Sequence, residues 1–442
     1  MAYAKDGFPI EQASKIGHLK LINNDLVRRV VEDFEDPAPS VGGPGVSSSG
    51  TVDLQEECAI ERIITVDGGQ AVVPNPARRQ KTLAFLQVAA CMLRMSDLRY
   101  MREHPLMDPR ELRRMIDDSV WYNPAAIPLS GVHHPGLTVQ QSIRRIVDRT
   151  LRETGLYETL KFLVYREWET ELTIPEERHP FMDCLGCGRR DMRLPRHQLS
   201  FECERCSHRH NLSDYLTIGT QGSEDWSREE AASALRDSLE TLTLFHFVRK
   251  YYREDAVMSE TLFVKDGPLL LRAALSRLVE PIRDFISHIR AEGHPLHLVG
   301  VEKTGDFVGF MEEYEASIPD PGDFFLPSVE FLVEEISGSI MSAGYRNRVS
   351  YGAKTSVRLG PDHVLALNVP TGQFELEPQE RDLIGFESSV RVLSSLVSYR
   401  YPNAIIPLVL ANSAASIARR PSGDILSTFA DQIMESRPAQ RP

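Results

Sequence analysis

The chain divides by its hydrophobic pattern into an irregular N-terminal half and a C-terminal half in which strands and helices alternate. In the C-terminal half, helices are predicted near residues 227–252, 270–291, 328–343, 384–398, 403–419 and 424–435, and strands near 261–265, 297–302, 356–359, 363–367 and 373–376. Alternation of this kind predicts an α/β fold whose sheet is covered by helices on both faces.

The N-terminal half carries fewer periodic segments. An amphipathic pattern from about Glu11 to Glu35 predicts a helix, and the Pro-, Gly- and Ser-rich segment from Pro37 to Gly50 is expected to be a mobile linker. An apolar run then predicts a strand that ends at Asp67. The segment from Thr82 to Met95 is ambiguous, and a strand is favoured because the first strand needs a neighbour. Further helices are expected at 109–118 and 138–169.

Composition narrows the class of protein. The chain has 442 residues, 42% of them hydrophobic and 26% charged, as in an ordinary globular protein of two or three domains. No apolar run reaches membrane-spanning length and no signal peptide is evident, so we expect a cytoplasmic location and no membrane association. The net charge of −13 argues against a protein that coats nucleic acid through bulk electrostatics, but it leaves room for a local basic groove.

Four of the six cysteines have the spacing of a zinc ribbon. The pairs Cys184/Cys187 and Cys203/Cys206 form a C-x2-C-x15-C-x2-C pattern, in which two tight turns aim four thiolates at one ion. Two unrelated redox pairs are the alternative. Four protein ligands leave no open position for water, so the expected zinc is structural.

Arginines surround these cysteines. A small metal-stapled module that carries arginines is a plausible phosphate-contacting surface, and a merely solvated charged face is the equal alternative. The candidate nucleic-acid-binding residues are Arg189, Arg190, Arg193 and Arg196.

Two carboxylates stand at the ends of apolar runs. Asp67 and Asp266 each follow a strand-like segment and precede glycine. A carboxylate at a buried strand end needs a partner, and a divalent cation is the usual one. The alternative is that each Asp-Gly pair only forms a turn. Glu240, on the preceding helix, could reach the same place. Three other acids of that helix compete with it: Glu229, Glu230 and Asp237.

These motifs resemble those of the NurA nucleases, the partners of HerA-type hexameric ATPases in DNA end processing. The matching segments are Ile-Thr-Val-Asp-Gly-Gly ending at Gly69, Leu-Arg-Asp-Ser-Leu-Glu ending at Glu240, Val264–Leu269, Leu298–Lys303, and Tyr401-Pro402 with the helix after it. The resemblance covers about residues 60–100 and 228–435, and residues 101–226 are outside it.

The resemblance implies an RNase H-like mixed sheet flanked by helices, with an inserted zinc-ribbon module. The expected divisions are 1–52 (helix and linker), 53–105 (first part of the core), 106–226 (helical insertion with the ribbon at about 180–215) and 227–442 (remainder of the core). It also implies metal ligands at Asp67, Glu240 and Asp266. Two positions depart from the family: Gly69 stands where serine is usual, and Asn412 where many members carry a histidine.

Hard carboxylate ligands suit Mg²⁺ or Mn²⁺, and the resemblance implies a DNA nuclease whose two-metal site hydrolyses phosphodiesters. Lys303 could neutralise phosphate charge, or it could be a surface lysine at a strand end. The chain has no P-loop, so a HerA-type ATPase would supply any translocation, and the family implies a homodimer. The cellular role could be DNA end processing or anti-phage defence.

Two other functions stay open on the sequence. A non-catalytic, nucleic-acid-binding adaptor is the main alternative, and the two departures favour it. A hydrolase of small phosphoesters ranks last, because the histidines form no ligand-like group beyond His208 and His210. The apolar stripe of residues 19–31 is a candidate docking element for the ATPase, with packing on its own domain as the alternative.

Overall fold

The computed structural model describes residues 25–26, 29, 45–74, 82–103, 108, 110, 119–130, 133–169, 180–195, 197–219, 228–333, 342–397, 404–417, 425–426, 428–430 and 432. Met1–Pro44 form one compact unit and Gly45–Pro442 another. Everything that follows concerns the second unit. The helices predicted at 11–35, 109–118 and 424–435 lie wholly or mainly outside the described residues.

A nine-stranded mixed sheet organises this unit. Its strands are β1 (Val46–Thr51), β2 (Arg62–Pro74), β3 (Thr82–Arg94), β4 (Val120–Ser130), β9 (Thr261–Asp266), β10 (His297–Glu302), β11 (Asp323–Pro327), β12 (Gly352–Gly360) and β13 (His363–Pro370). The order across the sheet is β1-β11-β12-β13-β10-β9-β2-β3-β4. The short strands β5 (Phe181–Met182), β6 (Met192–Arg193), β7 (Ser200–Glu202) and β8 (Arg209–Asn211) form two separate hairpins.

Strand direction changes within the sheet. Strands β2, β3 and β4 form an antiparallel meander, and β9 and β10 then run parallel to β2. Strands β13, β12, β11 and β1 continue the sheet with antiparallel pairings. Asp266 ends β9, and Asp67 directly follows the last residue of β2 that pairs with β9. The strand predicted to end at Asp67 is longer than predicted, because β2 continues to Pro74 through its pairing with β3.

Helices connect and cover the strands. They are α1 (Met95–Glu103), α2 (Val139–Glu153), α3 (Tyr157–Val164), α4 (Arg228–Tyr251), α5 (Asp255–Ser259), α6 (Val279–Ala291), α7 (Asp306–Tyr314), α8 (Val329–Phe331), α9 (Ala343–Val349), α10 (Phe386–Ser394) and α11 (Ile406–Ala415). Short 3-10 helices lie at Leu212–Leu216, Ala273–Leu278, Glu315–Ser317 and Glu380–Asp382. None of the described helices combines the length and apolar character needed to cross a membrane.

The two faces of the sheet carry different helices because side chains alternate along a strand. Ile64 of β2 packs in the core that contains α4 and α6, and its neighbour Ile63 packs in the core that contains α10 and α11. Helix α4 is buried on most sides from Ala231 to Val248, with Leu235, Leu239 and Phe245 fully buried.

Several predicted elements need correction. The predicted linker contains strand β1, which pairs with β11 at the sheet edge. The helix predicted at 138–169 is two helices: a Thr138–Gln141 capping box starts α2, and Gly155, with φ of +73°, separates it from α3. The strand predicted at 373–376 is wrong, because Gly372 turns the chain with φ of +79° directly after β13.

Several elements had no counterpart among the predictions, including β4, β11, α1, α5, α7 and α9. Strand β4 lies within 106–226 but pairs with β3 along its length, so the main sheet continues past residue 105. It is an edge strand and contains Pro124 and Pro128. The segment at Thr82–Met95 is the strand β3, as predicted, up to Arg94.

Candidate metal centres and the carboxylate cleft

The four cysteines of the ribbon motif lie together. Their sulfur atoms are all within 4.8 Å of one another, with Cys184 and Cys206 Sγ 3.6 Å apart and Cys187 and Cys203 Sγ 3.9 Å apart. A tetrahedral zinc with Zn–S bonds of about 2.3 Å would separate its sulfurs by about 3.8 Å. The amide of Arg205 lowers the pKa of the Cys203 thiol to about 6, which favours the thiolate that zinc requires. Geometry and donor chemistry therefore fit a structural zinc.

The ribbon is continuous with the main core. Cys184, Cys203 and Phe201 belong to the same hydrophobic cluster as α3 and α4. Arg144 of α2 joins the module through two hydrogen bonds to the buried Asp214, of 2.8 and 2.6 Å. Loss of the metal would therefore disturb the contacts of α2 and α3 as well as the ribbon.

Acidic residues lie next to the arginines of the ribbon and offset their positive charge. Arg189, Arg190 and Arg193 are exposed, and Arg196 lies outside the described residues. Arg189 pairs with Glu204 at 3.2 Å, and Arg277 reaches Asp183 of the ribbon at 3.7 Å. The described part of the ribbon thus presents mixed charge, which weakens its use as a phosphate-binding surface.

Asp67 and Asp266 lie where the parallel pairing of β2 and β9 ends. Val66 of β2 pairs with Lys265 of β9, and the two aspartates follow directly. Asp67 is 5% exposed, and its Oδ1 accepts a 2.7 Å hydrogen bond from the Gly68 amide. Burial, together with the nearby charge of Asp266, raises the pKa of Asp67 to about 6. Its Oδ2 is buried and has no hydrogen-bond partner in the described structure. A buried, unpartnered carboxylate oxygen fits a hard cation.

Glu240 approaches from the other face of the sheet. Its side chain, 6% exposed, lies between Arg236, at 3.3 Å, and Lys265, at 3.6 Å. Burial raises the pKa of Glu240 to about 7. Of the competing acids, Glu229 and Glu230 are exposed, and Asp237 pairs with Arg236 and Arg272. Glu240 is therefore the buried carboxylate of α4 at this site.

Two consecutive glycines allow elements on both faces to approach β2 closely. A Cβ on Gly68 would lie 2.2 Å from Glu240 Oε1, and a Cβ on Gly69 would lie 2.2 Å from the carbonyl oxygen of Ala415 in α11. Gln87 also donates to the Ala414 carbonyl at 2.7 Å. Gly69, the departure from the family motif, thus has a packing reason: serine at this position would collide with the end of α11.

An open cleft of about 610 Å³ collects these groups. Lys303 lies beside Asp266, with Nζ 2.9 Å from Oδ2, and Asn412 of α11 lines the same cleft. The structure thus places every carboxylate of the sequence-based site, with Lys303 and Asn412, around one opening.

The carboxylates are less tightly gathered than the cysteines. Among the described residues, the cysteine quartet is the one set of three or more potential ligands whose atoms all lie within 4.8 Å. Asp67, Glu240 and Asp266 do not form such a set. Arg236 and Lys265 pair with Glu240, and Lys303 pairs with Asp266, which offsets the repulsion between buried like charges.

Sequence reasoning missed Lys265, Arg236 and Glu302, all of which line the cleft. Lys265 is 6% exposed and donates to the Asp266 carbonyl at 3.0 Å. The signal for it was present, since a lysine inside an otherwise apolar strand must find a partner when buried. Arg236 and Glu302 gave no comparable signal, because each has an ordinary place at a helix surface or a strand end.

Comparison with known proteins gives few similarities. No protein-family model and no curated protein matches the chain. The crystal structure of the NurA nuclease from Sulfolobus solfataricus is similar over 97% of this chain and 99% of that chain, at 11% identity and a TM-score of 0.35. Structures of NurA bound to dAMP and manganese (11% identity, TM-score 0.30) and of NurA with manganese (12%, 0.26) cover 97% of both chains. Similarities of this size do not establish the family or activity of the chain.

Proposed function

We propose that this chain is a metal-dependent DNA nuclease with an RNase H-like core. The observation that carries the proposal is the pair of aspartates at the point where the parallel pairing of β2 and β9 ends, at the mouth of an open cleft. One of them has a buried oxygen with no hydrogen-bond partner among the described residues. The strand order supports the core assignment: in chain order, β2, β3 and β4 are antiparallel, β9 and β10 are parallel to β2, and the aspartates lie on the first and fourth of these strands.

The ligand set suits Mn²⁺ or Mg²⁺. Asp67 and Asp266 would hold the metal, with Glu240 and the amide oxygen of Asn412 as further oxygen donors. When bound, such an ion activates water and stabilises the charge of a phosphodiester under attack. Lys303, which contacts Asp266 and borders the cleft, would attract the phosphate backbone. Lys265 and Arg236 would hold Glu240 in place and offset its charge.

The decisive experiment is cleavage of end-labelled single- and double-stranded DNA by purified protein with Mn²⁺ or Mg²⁺. Asp67→Asn and Asp266→Asn should each lower the rate by at least about 100-fold, because each removes a metal ligand. Asp362→Asn, in the exposed turn between β12 and β13, is the matched control and should cleave normally. Wild-type rates in either ligand variant would refute the catalytic proposal.

Glu240 needs its own test, since it lies on the opposite face of β2. Glu240→Gln keeps the size of the side chain and removes its charge. Loss of cleavage comparable to that of Asp67→Asn supports a ligand role. Normal cleavage would assign the metal to the aspartates and restrict Glu240 to the charge cluster with Arg236 and Lys265.

A second candidate is a non-catalytic, nucleic-acid-binding adaptor. The observation that favours it is that Glu240 and Asp266 are already paired with protein cations, at Arg236, Lys265 and Lys303. The adaptor predicts DNA binding without cleavage in either metal, and a melting temperature that Mn²⁺ does not change. The nuclease predicts that Mn²⁺ raises the melting temperature of the wild type and not of Asp67→Asn.

The partner and assembly rest on the family resemblance and on the lack of a P-loop in the sequence. We propose a homodimer that works with a HerA-type hexameric ATPase, in DNA end processing or anti-phage defence. Light scattering after size-exclusion chromatography tests the dimer. Deleting residues 1–36 tests docking through the N-terminal segment and leaves β1, which starts at Val46, intact. Normal co-purification of this truncated chain with the ATPase would refute that docking.

A further inference from the structure

A second, smaller cavity lies beside the carboxylate cleft and is lined by cations. Arg283 of α6, Arg346 of α9 and Lys354 of β12 converge on it, together with Asn368 of β13 and the ring of Phe374. Its volume is about 40 Å³, and Leu270 lines both this cavity and the cleft. We refer to the space bounded by Arg283, Arg346, Lys354 and Asn368 as the cation cavity.

Arg283 has only neutral acceptors among its hydrogen bonds in the described structure. Its guanidinium donates to Asn347 Oδ1 at 2.8 Å, to the Asn347 carbonyl at 2.7 Å and to the Ser350 carbonyl. Its Nε is buried and has no hydrogen-bond partner there. The negative charges of Glu280 and Asp284, on the same helix, act to raise the pKa of Arg283. Asp284 is also paired with Arg166, at 2.7 Å.

Among the described residues, Glu375 is the carboxylate in the lining of the cation cavity. Lys354 pairs with Glu302, which also accepts a 2.6 Å hydrogen bond from Asn368. The charge of Glu302 also acts on Arg346, and the charge of Asp306 acts on Lys354. Arg346 donates to the Leu332 carbonyl at 2.9 Å. Burial lowers the pKa of Arg283 to about 10 and also lowers the pKa values of Arg346 and Lys354. An anion in the cavity would offset this burial of positive charge.

The geometry points to a binding site for a small oxyanion, a phosphate group, in the cation cavity. Two forked guanidinium groups and an ammonium group are the donors that phosphate oxygens prefer. A water molecule needs about 10–15 Å³ by this measure of volume, so the cavity holds about three, which is the scale of one tetrahedral anion and too little for a nucleoside. The phosphate could be free inorganic phosphate or the terminal phosphate of a DNA strand that lies in the neighbouring cleft.

The test is calorimetric titration with inorganic phosphate at constant ionic strength, with no Mn²⁺ or Mg²⁺ added. Wild-type protein should bind one phosphate, and Arg283→Gln should bind it about tenfold more weakly or worse, because a charged donor is lost. Arg290→Gln is the matched control: it lies on the same helix and donates to the carbonyls of Arg381 and Asp382 away from the cavity. Its affinity should equal that of the wild type.

A second measurement separates the two sources of phosphate. Oligonucleotides with a 5′ phosphate, a 3′ phosphate or no terminal phosphate should differ in affinity for the wild type and not for Arg283→Gln if the site holds a strand end. Equal affinities, with inorganic phosphate still bound, identify the free ion as ligand. Both results support the oxyanion site.

The inference is overturned if the wild type shows no phosphate binding, or if Arg283→Gln binds as tightly as Arg290→Gln. General stabilisation by phosphate as a salt acts on all variants alike and is removed by the comparison. Should Arg283→Gln fail to fold, as circular dichroism would show, Arg346→Gln serves as the second variant with the same expected loss. Neither measurement depends on DNA cleavage, so the outcome is independent of the nuclease proposal.

Discussion

The cysteine quartet and the carboxylate cleft both gather metal-type ligands, but the protein prepares them in opposite ways. The four sulfurs come from two short turns 15 residues apart and lie within 4.8 Å of one another. The three carboxylates come from β2, α4 and β9 and do not all lie within that distance of one another, and Lys265, Arg236 and Lys303 pair with two of them.

The difference follows from charge. The pKa of Cys203 is lowered to about 6 and that of Cys206 is raised to about 12, so part of the quartet stays neutral without a metal and loses its protons when zinc binds. Buried carboxylates repel one another, so such a site binds a metal ion, protonates a carboxylate, or pairs its carboxylates with lysine or arginine side chains. The cleft shows the second and third of these, in the raised pKa values of Asp67 and Glu240 and in the lysine and arginine partners.

The largest effect is expected from breaking the cysteine site. Purified protein should contain about one zinc per chain, and Cys184→Ser with Cys203→Ser should abolish binding and lower the free energy of unfolding by several kcal/mol, because the ribbon packs in the main core. Metal analysis and urea unfolding give the two readouts. Cys58→Ser, outside the quartet, is the control. A zinc-free wild type, purified without chelator, would contradict the prediction.

Removing a lysine that pairs with a cleft carboxylate tests how the carboxylate site is stabilised without metal. Lys265→Met leaves Glu240 with a weaker set of partners in a buried site, and we expect a loss of about 3 kcal/mol in stability, part of which Mn²⁺ restores. Lys303→Met should cost less, because Lys303 and Asp266 are more exposed. Urea unfolding with and without Mn²⁺ measures both. Equal losses in the two variants would show that burial of the pair does not govern its contribution.

The pH dependence of stability provides a further test of the carboxylate site. Asp67 has a normal pKa of 3.8 and a raised pKa of about 6 in the folded protein, so its charged form destabilises the fold at neutral pH. Without added divalent metal, Asp67→Asn should be more stable than the wild type by about 1–3 kcal/mol at pH 7.5. The advantage should shrink as the pH falls through 6 and vanish below the unfolded pKa of 3.8, where the wild type is protonated in both states. A difference that grows on acidification would reverse the assignment.

The smallest effects are expected at the two glycines. Gly69→Ala places a methyl group against the Ala415 carbonyl, a backbone atom that can move only with α11, and should cost about 1–3 kcal/mol. Gly68→Ala meets the end of the Glu240 side chain, which can swing away. It should therefore cost less stability while displacing a carboxylate of the cleft. Unfolding and DNA cleavage of the two variants, compared side by side, distinguish the two roles.

Local signals explain which features could be predicted from the sequence. The cysteine spacing alone is enough to predict that the four sulfurs lie together. The apolar runs before Asp67 and Asp266 locate β2 and β9, because buried parallel strands are continuously apolar. The helix α4 and the strand β10 follow from the same periodicity. The fold class, a mixed sheet flanked by helices, is confirmed at that level by the nine-stranded sheet.

Features that depend on distant partners were not predictable in this way. Strand β1 is Ser- and Gly-rich and looks like a linker, because an edge strand needs only one neighbour and few apolar contacts. Strand β4 contains two prolines that read as loop signals. The roles of Arg236 and Lys265 exist only once α4 lies across β2 and β9, and the ligand roles assigned to Asp67, Glu240, Asp266 and Asn412 remain predictions.

The two prolines of β4 also limit how copies of the protein can associate. Edge strands invite pairing with other chains, and proline has no N–H with which to extend a ladder. Pro124 and Pro128 are four residues apart, so their nitrogens face the same side of the strand, and pairing with β3 continues past both. A second molecule that added a strand along β4 would find two donors missing. Self-association by growth of the sheet is thereby discouraged at this end, so contacts between copies are left to the β1 edge or to side chains on a face of the molecule.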